Sequence, residues 1–283
     1  MKIKEGGEDL KDLSIALLQI HSKQRDIQGN LTKILDRISG AAQRGANLIV
    51  TPEVVLSGFL FSREDYMQIA QTIPGPATEE VGMAARKGNM YVILGLPEKS
   101  GQDLYNSLAV IGPRGGLVAI YRKTHLYLDE SKFFKPGSEL CLFKTEFGKV
   151  SCIICYDFVF PEFVRTLAAN GASIITHSTG WLTTEDRDFY GKDLDHYHAI
   201  VRVRAWENQV YFASCCRCGN DENFYFFANS CVAAPWGALV GKLGEAEGTL
   251  LVKTDWAKLG DWRQLAPYWE DRRPELYKKI LDL

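Results

Sequence analysis

The sequence predicts an α/β protein, and three observations carry that prediction. Short β-branched runs alternate with longer segments of helical period, no linker or low-complexity stretch divides the 283 residues, and 46% of them are hydrophobic, enough for one substantial core. Strands are expected at 13–20, 47–50, 90–95, 107–111, 117–121, 149–154, 173–176, 210–214, 230–234 and 249–252, with helices between them. In NLTKILDRISGAAQRGA, the residues Leu31, Ile34, Leu35, Ile38, Ala41 and Ala42 fall on one helical face, and Gly45 closes the helix. LDHYHAIVRVRAWENQ, from Leu194, repeats the pattern. GPRGG from Gly112 and PWG from Pro235 are tight turns between apolar strands. A single domain is expected over 1–283, with about 1–12 as an N-terminal extension and about 256–283 as a C-terminal tail.

Charge narrows the class of partner. Lys plus Arg (33) nearly balance Asp plus Glu (35), so there is no basic field to attract nucleic acid or anionic lipid, and a small molecule is the expected partner. No run approaches the roughly 18 consecutive apolar residues of a membrane helix. The start, MKIKEGGEDLKDLSIALLQI, lacks an apolar core followed by a small-residue cleavage site, so a cytoplasmic location is expected. Seven cysteines, an odd number lying mostly in apolar runs, are expected to be reduced thiols.

Three predicted strands end in a reactive polar residue: LIVTPE in Glu53, LVAIYRK in Lys123 and VSCIIC in Cys155. Ligands of open α/β sheets bind at the carboxyl ends of strands, so a carboxylate, an ammonium and a thiol can converge there. Such a trio performs acyl transfer without metal or organic cofactor: the carboxylate takes the thiol proton, the thiolate attacks a carbonyl, and the ammonium steadies the oxyanion. Taken singly, each has an ordinary explanation as a helix cap, a solvated lysine or a core thiol. Together they do not, because a buried Glu and Lys are costly unless they pair or work. His177, ending SIITH, is a competing general base for Cys155. A redox pair at Cys152 and Cys155 conflicts with the strand that carries them, which sends residues three apart to opposite faces. Cys215, Cys216 and Cys218 lack the second ligand pair that zinc would need. A non-enzymatic binding module on the same fold is the remaining alternative.

TPEVVLSGF, YRKTHL, CYDFVFPE, RAWENQVY and DRRPELY, in that order, resemble the signatures of the nitrilase, or carbon-nitrogen hydrolase, superfamily from about Leu13 to Tyr277. The resemblance implies a four-layer αββα sandwich and a Glu-Lys-Cys triad at Glu53, Lys123 and Cys155. It adds a second glutamate, Glu130, that positions substrate and nucleophile, and a homodimer or larger homo-oligomer. Self-association is also expected from Tyr197, Val201, Ala205 and Trp206 among charges and from an aromatic, Arg-rich tail. Tyr156-Asp157 after the nucleophile is similar to the aliphatic amidase and carbamoyl-amide hydrolase branches, whereas nitrilases that cleave C≡N usually carry Trp-Glu there. The chain departs from the family at Cys216-Arg217-Cys218-Gly219, where Asn-Arg-x-Gly is common, and at Ala228, where glycine is common. The pocket wall is expected to combine Phe59, Tyr127, Tyr156, Phe158, His177 and Trp181. That wall has little cationic charge besides Lys123 and, Arg165 and Arg187 aside, no guanidinium to hold a distal carboxylate, so a neutral or amine-bearing amide or carbamoyl compound is the expected substrate.

Overall fold

The computed structural model describes residues 4–5, 8–9, 11–183, 195–221, 224–278 and 280. Its backbone is two six-stranded sheets packed face to face. The first takes β1 (Ser14–Gln19), β2 (Leu48–Val50), β3 (Tyr91–Ser100), β4 (Asp103–Ile111) and β5 (Leu117–Arg122). The second takes β6 (Leu142–Thr145), β7 (Gly148–Ile154), β8 (Ile174–Thr179), β9 (Tyr211–Cys216), β10 (Cys231–Ala233) and β11 (Leu239–Lys242). The chain then returns to the first sheet with β12 (Gly248–Lys253), giving spatial orders β12-β1-β2-β3-β4-β5 and β11-β10-β9-β8-β7-β6. Each sheet has three parallel strands at its centre, β1-β2-β3 and β7-β8-β9, and antiparallel strands at its edges.

The four layers follow from the two-residue period of a strand whose both faces are buried. Along β1, Ile15 and Leu17 turn inward and share one core with Val150, Ile174 and Ala213 on the facing side of the second sheet. Ala16 and Leu18 turn outward onto the helices α1 (Ile27–Gln43) and α3 (Pro76–Gly88), which stand either side of the shorter α2 (Arg63–Ile69) in the chain. The α1 stripe Leu31, Ile34, Ile38 and Ala41 has helical spacing, Asp26 caps its first turn by accepting from Gly29 N, and Gly45 follows at φ 82°. On the far face lie α4 (Pro161–Ala169) and α5 (Asp195–Asn208), which bury Val164, Leu167, Tyr197, Val201 and Ala205 against the second sheet. Those three α5 residues therefore cover their own subunit's core and are not interface anchors. Trp206 and Val203 on α5, at 45% and 44% exposed, and Leu265 at 77%, the last residue of α6 (Trp256–Leu265), are what that part of the chain leaves open.

Every expected strand appears, several with longer ends, and both turns join antiparallel neighbours. β6 and β11, short edge strands, are additions. No helix among the described residues is long and apolar enough to cross a membrane.

Candidate active site

The carboxyl ends of β2, β3 and β5 lie along one edge of the first sheet, because the β3-β4-β5 meander reverses direction twice. Glu53 follows β2 in a loop that lies so close to β3 that a Cβ on Gly95 would stand 2.2 Å from the Pro52 carbonyl oxygen. Only glycine admits that approach. Lys123 follows β5 directly, its backbone N–H donating to Asn106 O at 2.8 Å, and Glu130 sits in the 3-10 turn Leu128–Lys132 just beyond. From the opposing sheet, Cys155 follows β7 and Gly180 follows β8.

These side chains meet. Lys123 Nζ donates to Glu53 Oε1 at 2.8 Å and lies 2.8 Å from Glu130 Oε2. Glu53 also accepts from Asn106 Nδ2 at 2.8 Å and from Gly180 N at 3.0 Å, and Glu130 accepts from Tyr127 N at 2.7 Å. Glu53 and Lys123 are each 1% exposed. An ion pair so buried survives only because nearly every lone pair and proton is engaged. Burial alone would pull the Lys123 ammonium down, but Glu53 and then Glu130 outweigh it and hold the group well above its ordinary value. Burial raises Glu130 against the pull of Lys123. Burial, with Glu53 second, raises the Cys155 thiol well above its ordinary value, so it rests as a thiol.

A cavity of about 340 Å³ opens above this cluster, with Glu53, Lys123, Glu130 and Cys155 among its lining residues. Of the expected wall, Phe59, Tyr127, Tyr156 and Trp181 line it, and Phe61, Phe133, Phe224 and Phe227 extend the aromatic surface. Phe158 and His177 do not. Both are fully buried behind Cys155, stacked ring on ring at 4.4 Å, because the 3-10 turn Cys155–Val159 and the inner register of β8 put them on the helix side of the second sheet. His177 is consequently neither wall nor base: its Nε2 faces the Cys155 backbone carbonyl at 2.9 Å, and burial lowers it to about 4. Arg165 stands over Trp269 at 5.3 Å, away from the cavity, and Arg187 lies outside the described residues. Among the described residues no arginine lines the cavity.

Cys152 is fully buried with its Sγ 3.3 Å from that of Cys141, while Cys155 is only partly buried and lines the cavity. Cys215 is equally buried, its Sγ 3.2 Å from Val50 O, and among the described residues no group of three or more His, Cys, Asp and Glu is arranged for a metal. Arg217 is buried behind the Phe59 wall, paired with Asp221 at 2.5 Å and lying 4.0 Å over Phe226. Ala228 has φ 55°, a conformation that a glycine would adopt at no cost.

Sequence reasoning gave no role to Asn106, Gly180 or Asp157. Asp157 is the most connected of them: it accepts from Tyr121 Oη (2.6 Å), His125 N (2.9 Å) and Ile154 N (2.9 Å), tying the turn after Cys155 to β5. Nothing in the period of VSCIICYDF signals that role.

The Carbon-nitrogen hydrolase family model matches residues 14–264. The chain belongs to the carbon-nitrogen hydrolase family. It is 33% identical over 271 residues to a nitrilase of Pyrococcus abyssi, covering 94% of this chain and 99% of the relative. It is 32% identical over 277 residues to omega-amidase NIT2 of Mus musculus, covering 94% and 96%. Among solved structures, a mutant amidase from Nesterenkonia sp. AN1, showing covalent addition of the acetamide moiety of fluoroacetamide at its active site cysteine, matches with TM-score 0.78 at 27% identity. The match covers 94% of this chain and 96% of that one. This carbon-nitrogen hydrolase shares with nitrilase-superfamily amidases the α/β architecture of two sheets flanked by helices, as its motifs led one to expect.

Proposed function

We propose that this carbon-nitrogen hydrolase cleaves a small linear amide or carbamoyl compound, neutral or amine-bearing, through a thioester on Cys155. Glu53 takes the thiol proton as the sulfur attacks the carbonyl carbon. Lys123 Nζ and the backbone N–H of Tyr156 receive the oxyanion. Collapse breaks the C–N bond, the leaving nitrogen departs as ammonia with the proton from Glu53, and Glu53 then activates the water that splits the thioester into acid and free thiol. Glu130 holds Lys123 from the other side, so the ammonium stays charged throughout.

The observation that carries this proposal is the Lys123 ammonium, 2.8 Å from each of two carboxylates, at a cavity that Cys155 also lines. The covalent cysteine adduct named for the Nesterenkonia amidase supports the same chemistry. The wall supports the choice of substrate: Glu53, Asp129 and Glu130 line the cavity, and its aromatic faces attract an ammonium as readily as an alkyl stem. A carboxylate-bearing ω-amide is the second reading, favoured by the likeness to omega-amidase NIT2. It requires a cation that Lys123, already between two carboxylates, does not supply.

An ammonia-release screen separates these readings: short aliphatic amides, ω-amino amides, carbamoylated amines and amino acids, ω-amides of dicarboxylates, and nitriles. Turnover is expected on the first three classes, absent in Cys155→Ala and retained in Cys152→Ala. Glu53→Gln, isosteric and leaving Lys123 paired with Glu130, should lose at least about 100-fold in kcat. Preference for carboxylate-bearing substrates would move the assignment to the ω-amide. Nitrile turnover would overturn the amidase assignment, and near-normal kcat in Glu53→Gln would overturn the base.

A further inference from the structure

Cys155 has φ 43°, a left-handed conformation that is unfavourable for a residue with a side chain. Something must hold it. Its carbonyl oxygen lies 2.9 Å from His177 Nε2, whose other ring nitrogen, Nδ1, lies 2.8 Å from Ser214 Oγ, itself 2.5 Å from Tyr197 Oη. His177, Ser214 and Tyr197 are each 0% exposed. The direction of every bond in this chain is fixed. A carbonyl only accepts, so Nε2 carries the hydrogen. Burial keeps the imidazole neutral, with one N–H, so Nδ1 must accept from Ser214 and Ser214 in turn from Tyr197. Phe158 stacks on the ring at 4.4 Å and 15° and prevents it from turning.

The consequence lies on the other side of the peptide. The only cis bond among the described residues is Ile73-Pro74, so the 155–156 peptide is trans and planar, its C=O and N–H pointing in opposite directions. A hydrogen bond that pins the carbonyl away from the cavity also aims the N–H toward it.

We propose that His177 is a positioning residue that acts through the 155–156 peptide: by holding the Cys155 carbonyl from behind, it aims the Tyr156 N–H at the substrate oxyanion. The proposal rests on the thioester mechanism above. Because the oxyanion exists only at and near the transition state, the arrangement raises kcat and leaves ground-state binding alone.

The test compares His177→Phe, which keeps the stacked ring and deletes the donor, with His177→Gln, which keeps a donor amide near the Nε2 position. Butyramide and butyraldehyde are the probes, the aldehyde adding to Cys155 as a tetrahedral adduct with its oxygen in the same place. His177→Phe should lower kcat by about 10- to 100-fold and weaken the aldehyde by a like factor. Butyramide binding, measured with and without His177→Phe in a Cys155→Ala background, should stay within about twofold, and His177→Gln should recover most of kcat. Wild-type kcat in His177→Phe beside an inactive Cys155→Ala would overturn this proposal alone, as would a fall confined to amide binding or a glutamine variant as impaired as phenylalanine. Turnover by Cys155→Ala would overturn the thioester mechanism with it. Should His177→Phe not fold, Ser214→Ala removes the donor that fixes the tautomer. A lower kcat with unchanged amide binding then supports the proposal, and wild-type kcat overturns it.

Discussion

His177 shows how much a single residue's meaning depends on which side of a strand it occupies. At the end of SIITH, beside a cysteine, an imidazole has the chemistry of a general base, and its sequence context is the same whether it faces the cavity or the helices. Glu53, Lys123 and Cys155 were legible because each ends a predicted strand, and a strand end has only one open direction. Inside a strand the period gives two faces without saying which of them meets the cavity, and Phe158 escaped for the related reason that the turn after Cys155 breaks the alternation. Burial of His177 also makes a prediction about pH. Its folded value, lowered to about 4 from 6.5 despite the pull of Asp157, means that the unfolded chain takes up the proton first. The stability this contributes is intact above pH 6.5 and is lost as pH falls from there toward 4. Between pH 7 and pH 5 wild type should therefore lose about 2 kcal/mol relative to His177→Phe in urea unfolding. A gap between the two proteins that is the same at both pH values would show that the imidazole is not held neutral.

At the scale of elements, the strand ends do the positioning and the glycines let them approach. A Cβ at Gly180 would stand 2.3 Å from Phe59 Cε2, and Phe59 is backed by Phe226 at a ring distance of 5.3 Å, so it has no easy retreat. The same glycine donates its N–H to Glu53. Gly180→Ala should therefore lower kcat/KM by at least about tenfold and destabilise the fold by about 1–3 kcal/mol, the usual cost of overpacking. Steady-state kinetics and thermal melting check both, and wild-type values in each would mean the wall is softer than its packing implies. Neither Gly180 nor Asn106 was legible in advance, since each serves Glu53 from a distant strand, Gly180 from the other sheet, and no local pattern records a partner more than 50 residues away. The central strands were legible because burial on both faces makes them continuous apolar runs, even the three residues of β2. The edge strands β6 (LFKT) and β11 (LVGK) are partly exposed and leave no continuous apolar run to read.

Across the whole molecule, the surface left uncovered by α5 and the C-terminal segment includes Trp206, Val203, Leu265, Leu276 at 62% and Tyr277 at 47% exposed. Several large apolar side chains left exposed in two segments of the chain mark them as candidates for an interface. Light scattering at micromolar concentration should give at least twice the 31.8 kDa of one chain, and Trp206→Asp should shift the distribution toward single chains. A monomer at that concentration would leave the aromatic tail as a cover for its own subunit's core. The division of the site between the sheets reaches further. Glu53, Lys123 and Glu130 all precede β6, whereas Cys155 and Gly180 both follow it, so the proposed base and nucleophile lie in separate blocks of sequence. Exchanging these blocks between relatives, with a junction near residue 140, would transfer the proton-handling half or the thiol half whole. The compatibility of two such parents would be decided less by their site residues, which need not differ, than by whether Val150, Ile174 and Ala213 still fit against Ile15 and Leu17.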